Sequence, residues 1–130
     1  TLIDKSIIEI WDSVLDLVVI LPSAKDVETA IVNQSEILQL DKRGLIITAS
    51  SGNSDFYSRC FYPRHNISED PVTGSAHCIL APLWAKKLNK SLLSATQGGN
   101  RRGRLQCEVL DSRVLMSGHC RWYLKGDIVI

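Results

Sequence analysis

The residues best suited to acid–base chemistry lie together in the segment Ser68–His77, which reads SEDPVTGSAH. Pro71 has no amide hydrogen and favours an extended backbone at Asp70, so a helix should begin only after the proline. Thr73 or Ser75 could cap that helix, and the free N–H groups of its first turn would suit a carboxylate or phosphate. An acid beside such an anion site suggests proton transfer on a carboxylated substrate.

Other polar groups near this segment have competing interpretations. His77 could act as a base, but a hydrogen-bonding residue at the helix start is the simpler interpretation. Glu69 could share the work of Asp70, although neighbouring side chains on an extended segment point in opposite directions. Arg59 is expected to form a structural ion pair with one of these acids. The alternative for the whole segment is a capped structural helix behind an exposed acidic turn.

The ten residues that follow the glycine–serine pair, Ala76–Ala85, are apolar except for His77. A surface helix shows one apolar stripe, whereas this run is apolar on all sides, so we expect a helix enclosed by β-sheet. Pro82 removes one helical hydrogen bond and predicts a kink. Cys78 is expected to be buried. The run is too short to span a bilayer.

Short apolar segments on both sides of this helix predict strands and two further helices. The strands are expected at 7–11, 14–21, 45–49, 56–61, 92–96, 105–109, 114–117, 121–124 and 128–130, and the helices at 24–33 and 35–40. The last third lacks the long crossovers that parallel strands need. The sequence therefore predicts one α+β domain over residues 1–130. Its mixed, mostly antiparallel sheet should form a barrel-like roll around one central helix.

Composition restricts the possible partners. The 130 residues are 45% apolar and 22% charged with a formal net charge of +1, as in soluble domains that bind neither nucleic acid nor membranes. The basic cluster Arg101–Arg104 has no interleaved aromatic residues and is expected to be a solvated hairpin tip. Four cysteines and three histidines show no metal-ligand spacing, so no metal is expected. We expect free thiols, no signal peptide and a cytoplasmic location.

The string Glu69–His77 is long and specific, and with it the chain resembles the C-terminal half of the phenazine-biosynthesis PhzF-like isomerases. The likeness extends over essentially all 130 residues. Its other positions are Phe56-Tyr57-Ser58-Arg59, Phe61, Pro63, Trp84, Gln97, Arg101, Gly103 and Gly118. The resemblance implies a fold like that of diaminopimelate epimerase, in which two lobes each wrap a small mixed β-barrel around a central helix. The active site would lie between the lobes.

The resemblance also assigns residues. It implies that Asp70 contacts the substrate and helps proton transfer, and that Gly74 and Ser75 hold the substrate carboxylate. We therefore predict Asp70 and Ser75 as catalytic residues, and Gly74, Ser75, Thr73 and His77 as substrate-binding residues. Thr73 stands where the related epimerases carry a cysteine. Because a threonine hydroxyl is too weak an acid or base for that role, two-thiol racemisation is not expected.

The function implied is that of one lobe of a cofactor-independent isomerase that moves a proton within a small carboxylated metabolite. The family's acid/base glutamate and partner histidine belong to the other lobe, so this chain alone is expected to be inactive. Its expected partners are that N-terminal lobe and a second copy in a homodimer. The rival hypothesis is a non-catalytic binding or self-association domain. The sequence leaves the substrate open.

Two positions depart from the family pattern. The family usually has Arg-Gly-Gly where this chain reads Arg101-Arg102-Gly103, which leaves the conformation of this loop open. Asn66 replaces a usual glycine, but asparagine tolerates the left-handed backbone region.

Overall fold

The computed structural model describes residues 1–130 and contains eight strands, three α-helices and one 3₁₀ turn. The 3₁₀ turn spans Pro63–His65. The strands are β1 (Glu9–Asp12), β2 (Asp16–Ile20), β3 (Gly44–Ser50), β4 (Phe56–Tyr62), β5 (Ile67–Asp70), β6 (Leu92–Gln97), β7 (Gly103–Val109) and β8 (Val114–Ser117). The helices are α1 (Ala24–Thr29), α2 (Gln34–Gln39) and α3 (Gly74–Leu88).

The strands form one mixed sheet in the order β1-β2-β3-β4-β6-β7-β8, and β5 pairs with β4 beyond the end of β6. Two pairs, β2 with β3 and β4 with β6, are parallel, and the other five are antiparallel. The predicted α+β class and the mostly antiparallel sheet are confirmed. The outer strands β1 and β8 do not pair with each other, so the sheet is open and the predicted barrel is not closed.

Both faces of the central strands are covered. On β3, Ile46 packs in a core with α3, whereas Leu45 and Ile47 pack in a second core with α1 and α2. On β2, Val18 and Val19 divide between the two cores in the same way. A strand that is buried on both faces reads as a continuous apolar run, which is why these two strands could be predicted from the sequence.

α3 lies on one face of the sheet and is less enclosed than its sequence predicts. Leu80 and Trp84 are buried against the strands, but Cys78 and Pro82 are exposed on the opposite side of the helix. The predictions of full enclosure and of a buried Cys78 are therefore wrong, because the open sheet leaves one side of the helix uncovered. Pro82 lies on that exposed side, and the helix continues to Leu88.

The two small helices are set by their caps. Ser23 accepts a hydrogen bond from the Asp26 N–H and begins α1, which ends at Thr29 rather than at residue 33. Asn33 instead begins α2, because its side chain accepts from the N–H groups of Ser35 and Glu36. The predicted helix at 24–33 therefore includes the cap of the next helix.

The predicted C-terminal hairpin at 121–124 and 128–130 is wrong. Residues 118–130 have no regular structure, and none of them belongs to either core. Strand formation needs a neighbouring strand, and neither segment pairs with one here. Trp122 is 92% exposed for the same reason. None of the three helices has the length and apolar character needed to span a membrane.

Candidate active site

The candidate site forms where β5 and β6 end on the same side of β4. β6 pairs with the first half of β4, with Gln97 opposite Ser58, and β5 pairs with the second half, with Asp70 opposite Cys60. Asp70 and Gln97 are 27 positions apart in the sequence. They lie close together because their partners on β4, Cys60 and Ser58, are only two positions apart. The chain then turns through Pro71 into α3, so the start of this helix lies beside Asp70.

Asp70, Thr73 and Gln97 form one hydrogen-bonded group. The Thr73 hydroxyl donates to Asp70 Oδ2 at 2.7 Å. Gln97 Nε2 donates to the same hydroxyl at 2.9 Å and to the Asp70 carbonyl at 2.8 Å. Gln97 Oε1 accepts from the Thr73 N–H at 2.9 Å. Asp70 is half-buried, whereas Gln97 is fully buried. The aspartate is therefore accessible to solvent on one side, and the buried glutamine holds the group from the protein interior.

The start of α3 is exposed and uncapped by side chains. Thr73 occupies the N-cap position, but its hydroxyl contacts Asp70 and makes no capping bond. Gly74 and Ser75 are exposed, and their N–H groups have no acceptor within the protein. The space beside Gly74 is open, since a Cβ at this position would have the Met116 Cε, 3.9 Å away, as its nearest neighbour. Free N–H groups at a helix start attract anions.

Glu69 and Arg59 form the expected structural ion pair. Arg59 Nε and Nη2 donate to the two carboxylate oxygens of Glu69 at 2.9 and 2.8 Å, a bidentate arrangement. The Gly99 N–H also donates to Glu69 Oε1 at 2.7 Å. Glu69 is therefore held in the structure by three donors, and Asp70 is the acid that lies next to the start of α3.

His77 is buried inside the first turn of α3. Its Nδ1 lies 2.8 Å from the Thr73 carbonyl, which can only accept, so Nδ1 carries the hydrogen. Nε2 has no partner, and burial lowers the pKa of this histidine despite the opposing effect of the Thr73 carbonyl. The side chain is 0% exposed and packs near Phe56, with 5.9 Å between ring centroids. This geometry agrees with a hydrogen-bonding residue at the helix start.

The two buried cysteines supply no thiolate to this site. Cys60 lies opposite Asp70 on β4, and burial raises the pKa of its thiol to about 12. Cys107 is also buried, and burial raises its pKa to about 11. Cys78 and Cys120 are exposed, and all four cysteines are free, as predicted. A buried thiol with a raised pKa stays protonated at neutral pH, so Cys60 is a packing residue rather than a nucleophile.

The hairpin between β6 and β7 packs closely against the turn that precedes α3. Gly98 has φ +101°, and a Cβ there would lie 2.1 Å from the Arg101 carbonyl oxygen and 2.9 Å from that of Pro71. Only glycine fits this approach without a backbone shift. The unusual Arg102 points away from Asp70: its Nη2 donates to Glu28 Oε1 at 2.6 Å on the α1 side of the sheet.

Sequence reasoning missed one member of the site. Gln97 was identified only as a matching position of the resemblance, without a role. The available signal was a large amide side chain at the end of an alternating strand, directly before Gly98-Gly99. Its partner could not be known from the sequence, because the contact depends on how β5 and β6 share β4.

The fold and the site together define a small α+β protein with an open mixed sheet, which presents an aspartate beside an exposed helix start. The sequence matches the family model described as phenazine biosynthesis-like protein, PhzC-PhzF, over residues 6–126. The chain belongs to this family.

Individual relatives agree. A Pseudomonas aeruginosa protein named an uncharacterized isomerase is 43% identical over 87% of this chain and 44% of its own length. A Bos taurus phenazine biosynthesis-like domain-containing protein is 38% identical over 78% of this chain and 39% of its own. A Clostridium difficile PhzC/PhzF crystal structure is 44% identical, with a TM-score of 0.83 over 93% of this chain and 47% of that one. The chain spans less than half the length of these relatives.

Proposed function

We propose that this chain is one lobe of a cofactor-independent isomerase that moves a proton within a small carboxylated substrate. The observation that carries the proposal is the position of Asp70 beside the exposed N–H groups of Gly74 and Ser75. In this proposal those N–H groups and the Ser75 hydroxyl bind the substrate carboxylate, and Asp70 takes part in the proton transfer. The relative named an isomerase supports the reaction class.

The chemistry needs no redox change. A C–H bond of the substrate breaks, the proton passes to a carboxylate, and the electron pair stays in the carbon skeleton as a shifted double bond. A proton then returns to a different carbon of the same molecule. The partial positive charge at the start of α3 would stabilise negative charge that develops on the bound substrate. A second lobe would close over the site and supply the other acid/base group.

Thr73 and His77 take supporting roles in this proposal. Thr73 holds the Asp70 carboxylate through its hydroxyl, and His77 holds the Thr73 carbonyl. His77 would support the binding site from within the helix, because it is fully buried and cannot reach a ligand without a change of conformation.

The decisive experiment is Asp70→Asn in the complete protein that contains this lobe. The assay incubates a panel of small unsaturated carboxylic acids in D₂O and follows deuterium incorporation by NMR. Turnover should fall by at least about a hundredfold, as expected when an acid–base group is removed, while circular dichroism stays unchanged. Asp111→Asn is the matched control, since Asp111 is exposed in the turn between β7 and β8. Full activity of Asp70→Asn would remove Asp70 from the mechanism.

The anion site can be tested without a substrate. Malonate titrated into ¹⁵N-labelled protein should shift the amide signals of Gly74 and Ser75 before others. The N–H groups of Asp26 and Ser35 are the control, because they already donate to the caps of α1 and α2. Equal shifts at all three helix starts would argue against a dedicated site.

A second candidate function is self-association, and exposed apolar side chains favour it. Trp122, Tyr123 and Ile128 are each at least 88% exposed, and the uncovered side of α3 adds Pro82. Apolar surface of this kind marks interaction sites. Sedimentation velocity over a hundredfold range of concentration would test for the expected homodimer. If the protein is a monomer at all concentrations and the exchange assay is positive, self-association is rejected and the isomerase proposal is retained.

A further inference from the structure

We infer that Gln97 is a positioning residue that fixes the direction of the hydrogen bonds at Asp70. In the resulting arrangement Oδ2 always accepts from Thr73, and Oδ1 is the oxygen that exchanges a proton with the substrate. This inference rests on the function proposed above, because it assigns to one oxygen the proton transfer proposed for the whole carboxylate.

The direction of each bond follows from groups that can act in only one way. The Thr73 N–H can only donate, so the Gln97 oxygen must face it, at 2.9 Å. The Asp70 carbonyl can only accept, so the Gln97 nitrogen must face it, at 2.8 Å. These two contacts exclude a flipped amide.

The Gln97 nitrogen therefore also donates to the Thr73 hydroxyl oxygen, 2.9 Å away. A hydroxyl has a single hydrogen, and this one is directed to Asp70 Oδ2 at 2.7 Å. A proton placed on Oδ2 would weaken that bond, because a protonated oxygen is a poorer acceptor, whereas Oδ1 makes no hydrogen bond within the protein. The carboxylate thus has one oxygen committed to the fold and one free for chemistry.

Thr73 keeps its hydroxyl hydrogen directed at Asp70 because three of its polar groups are held by hydrogen bonds. Gln97 binds its N–H and its hydroxyl, and the buried Nδ1–H of His77 binds its carbonyl. Gln97 and His77 are both 0% exposed, so water cannot replace either partner. Proton transfer then runs between the substrate C–H bond and Oδ1. As that bond breaks, its proton bonds to Oδ1 and its electron pair remains on the substrate, while Oδ2 keeps accepting from Thr73.

The test uses the complete protein that contains this lobe, with Gln97→Glu as the first variant. A carboxylate at position 97 still accepts from the Thr73 N–H but turns the Thr73 hydroxyl toward itself, away from Asp70. Thr73→Val removes the hydroxyl with little change in shape and serves if the first variant does not fold. Thr73→Ser keeps the hydroxyl and should keep its bond to Asp70. Gln106→Glu is the matched control, on the exposed side of β7.

The primary measurement is the χ1 rotamer of Asp70, taken from three-bond NMR couplings. In wild type and Thr73→Ser, the couplings should correspond to a single Asp70 rotamer. In Gln97→Glu and Thr73→Val, the couplings should be averaged over several Asp70 rotamers. The deuterium-exchange rate at saturating substrate should fall at least tenfold in the averaging variants. Their dissociation constant for malonate should change less than twofold, since the N–H groups of Gly74 and Ser75 are untouched.

The outcomes separate this inference from the function on which it rests. A single Asp70 rotamer in both averaging variants would overturn the inference, whatever the activity. Full exchange activity in Asp70→Asn would overturn the proposed function instead, and the rotamer data would show that the hydrogen-bond direction is structural alone. A parallel loss of malonate binding and exchange in Gln97→Glu would also contradict the inference, because it would show a general collapse of the site.

Discussion

Replacement of Arg59 by methionine should reveal how strongly the sheet holds the segment that leads into the site. Arg59 lies on β4 and joins two parts of the fold. It donates to both carboxylate oxygens of Glu69 on β5, and its Nη1 donates to the carbonyls of Val27 and Ala30 at the end of α1, at 3.1 and 2.9 Å. The variant keeps the apolar stem and removes all of these bonds.

The magnitude follows from the burial of the pair. The side chains of Arg59 and Glu69 are 13% and 24% exposed, between the surface pairs that contribute about 0–1 kcal/mol and the buried pairs whose disruption costs about 3–5 kcal/mol. Glu69 would keep its bond from the Gly99 N–H, which reduces the cost of losing its partner. We expect Arg59→Met to lower the free energy of unfolding by about 2–3 kcal/mol.

Arg64→Met is the matched control for this change. Arg64 also donates to backbone carbonyls at and after the end of a short helix, but it is exposed and pairs with no carboxylate; its acceptors are the carbonyls of Leu38, Leu40 and Lys42. Its removal should cost about 0.5–1.5 kcal/mol in total, because exposed hydrogen bonds are largely replaced by bonds to water. Urea unfolding followed by circular dichroism measures both variants under the same conditions.

A double-mutant cycle with Glu69→Gln then isolates the ion pair. The coupling energy between positions 59 and 69 should exceed about 1 kcal/mol, because contacting charged partners are not independent. A coupling below about 0.3 kcal/mol, within the additivity expected of independent sites, or equal losses for Arg59→Met and Arg64→Met, would refute the reasoning. Either result would mean that burial adds nothing to this pair.

Two further predictions concern the pH dependence and the tight hairpin. Burial lowers the pKa of His77 from 6.5, so the unfolded chain binds a proton that the folded chain does not, and the free energy of unfolding should fall as the pH decreases below about 6.5. His77→Asn should weaken that fall in urea titrations below about pH 6.5, with the exposed His65→Asn measured in parallel as a control. Gly98→Ala should cost at least about 2 kcal/mol because its φ is +101° and its Cβ would meet backbone oxygens. Gly52→Ala, with open space around it, should stay within about 0.5 kcal/mol in the same thermal unfolding assay.

Much of the fold could be predicted because its signals are local. The apolar runs in β2 and β3 indicate strands covered on both faces, and the structure places a core on each. β5 ends at Asp70, directly before Pro71, and α3 begins only at Gly74. This agrees with the missing amide hydrogen of the proline. Asn66 adopts the left-handed conformation with φ 58° that its side chain tolerates. Each of these features depends on the residue and its immediate neighbours.

The failures share a non-local cause. Apolar residues around all sides of α3 predict full enclosure, but enclosure depends on whether β1 and β8 meet, and they do not. Short apolar segments on both sides of Lys125-Gly126-Asp127 predict a hairpin, but a strand also needs a neighbouring strand to pair with. The contact between Gln97 and Asp70 likewise depends on the shared side of β4, which no spacing in the sequence encodes.

The start of α3 shows why the local rule and the site disagree. A threonine at the N-cap normally accepts from an N–H of the first turn, and losing that bond costs about 1 kcal/mol. Here the Thr73 hydroxyl contacts Asp70 instead, so the Ser75 N–H, which such a cap can bind, stays free beside the N–H of Gly74. Gln97 and His77 offset the loss by holding the Thr73 backbone at both ends. Thr73 thus lacks the usual capping bond and is held by two buried side chains instead. Such a local loss of stability, compensated by neighbouring residues, is the pattern expected at a binding site.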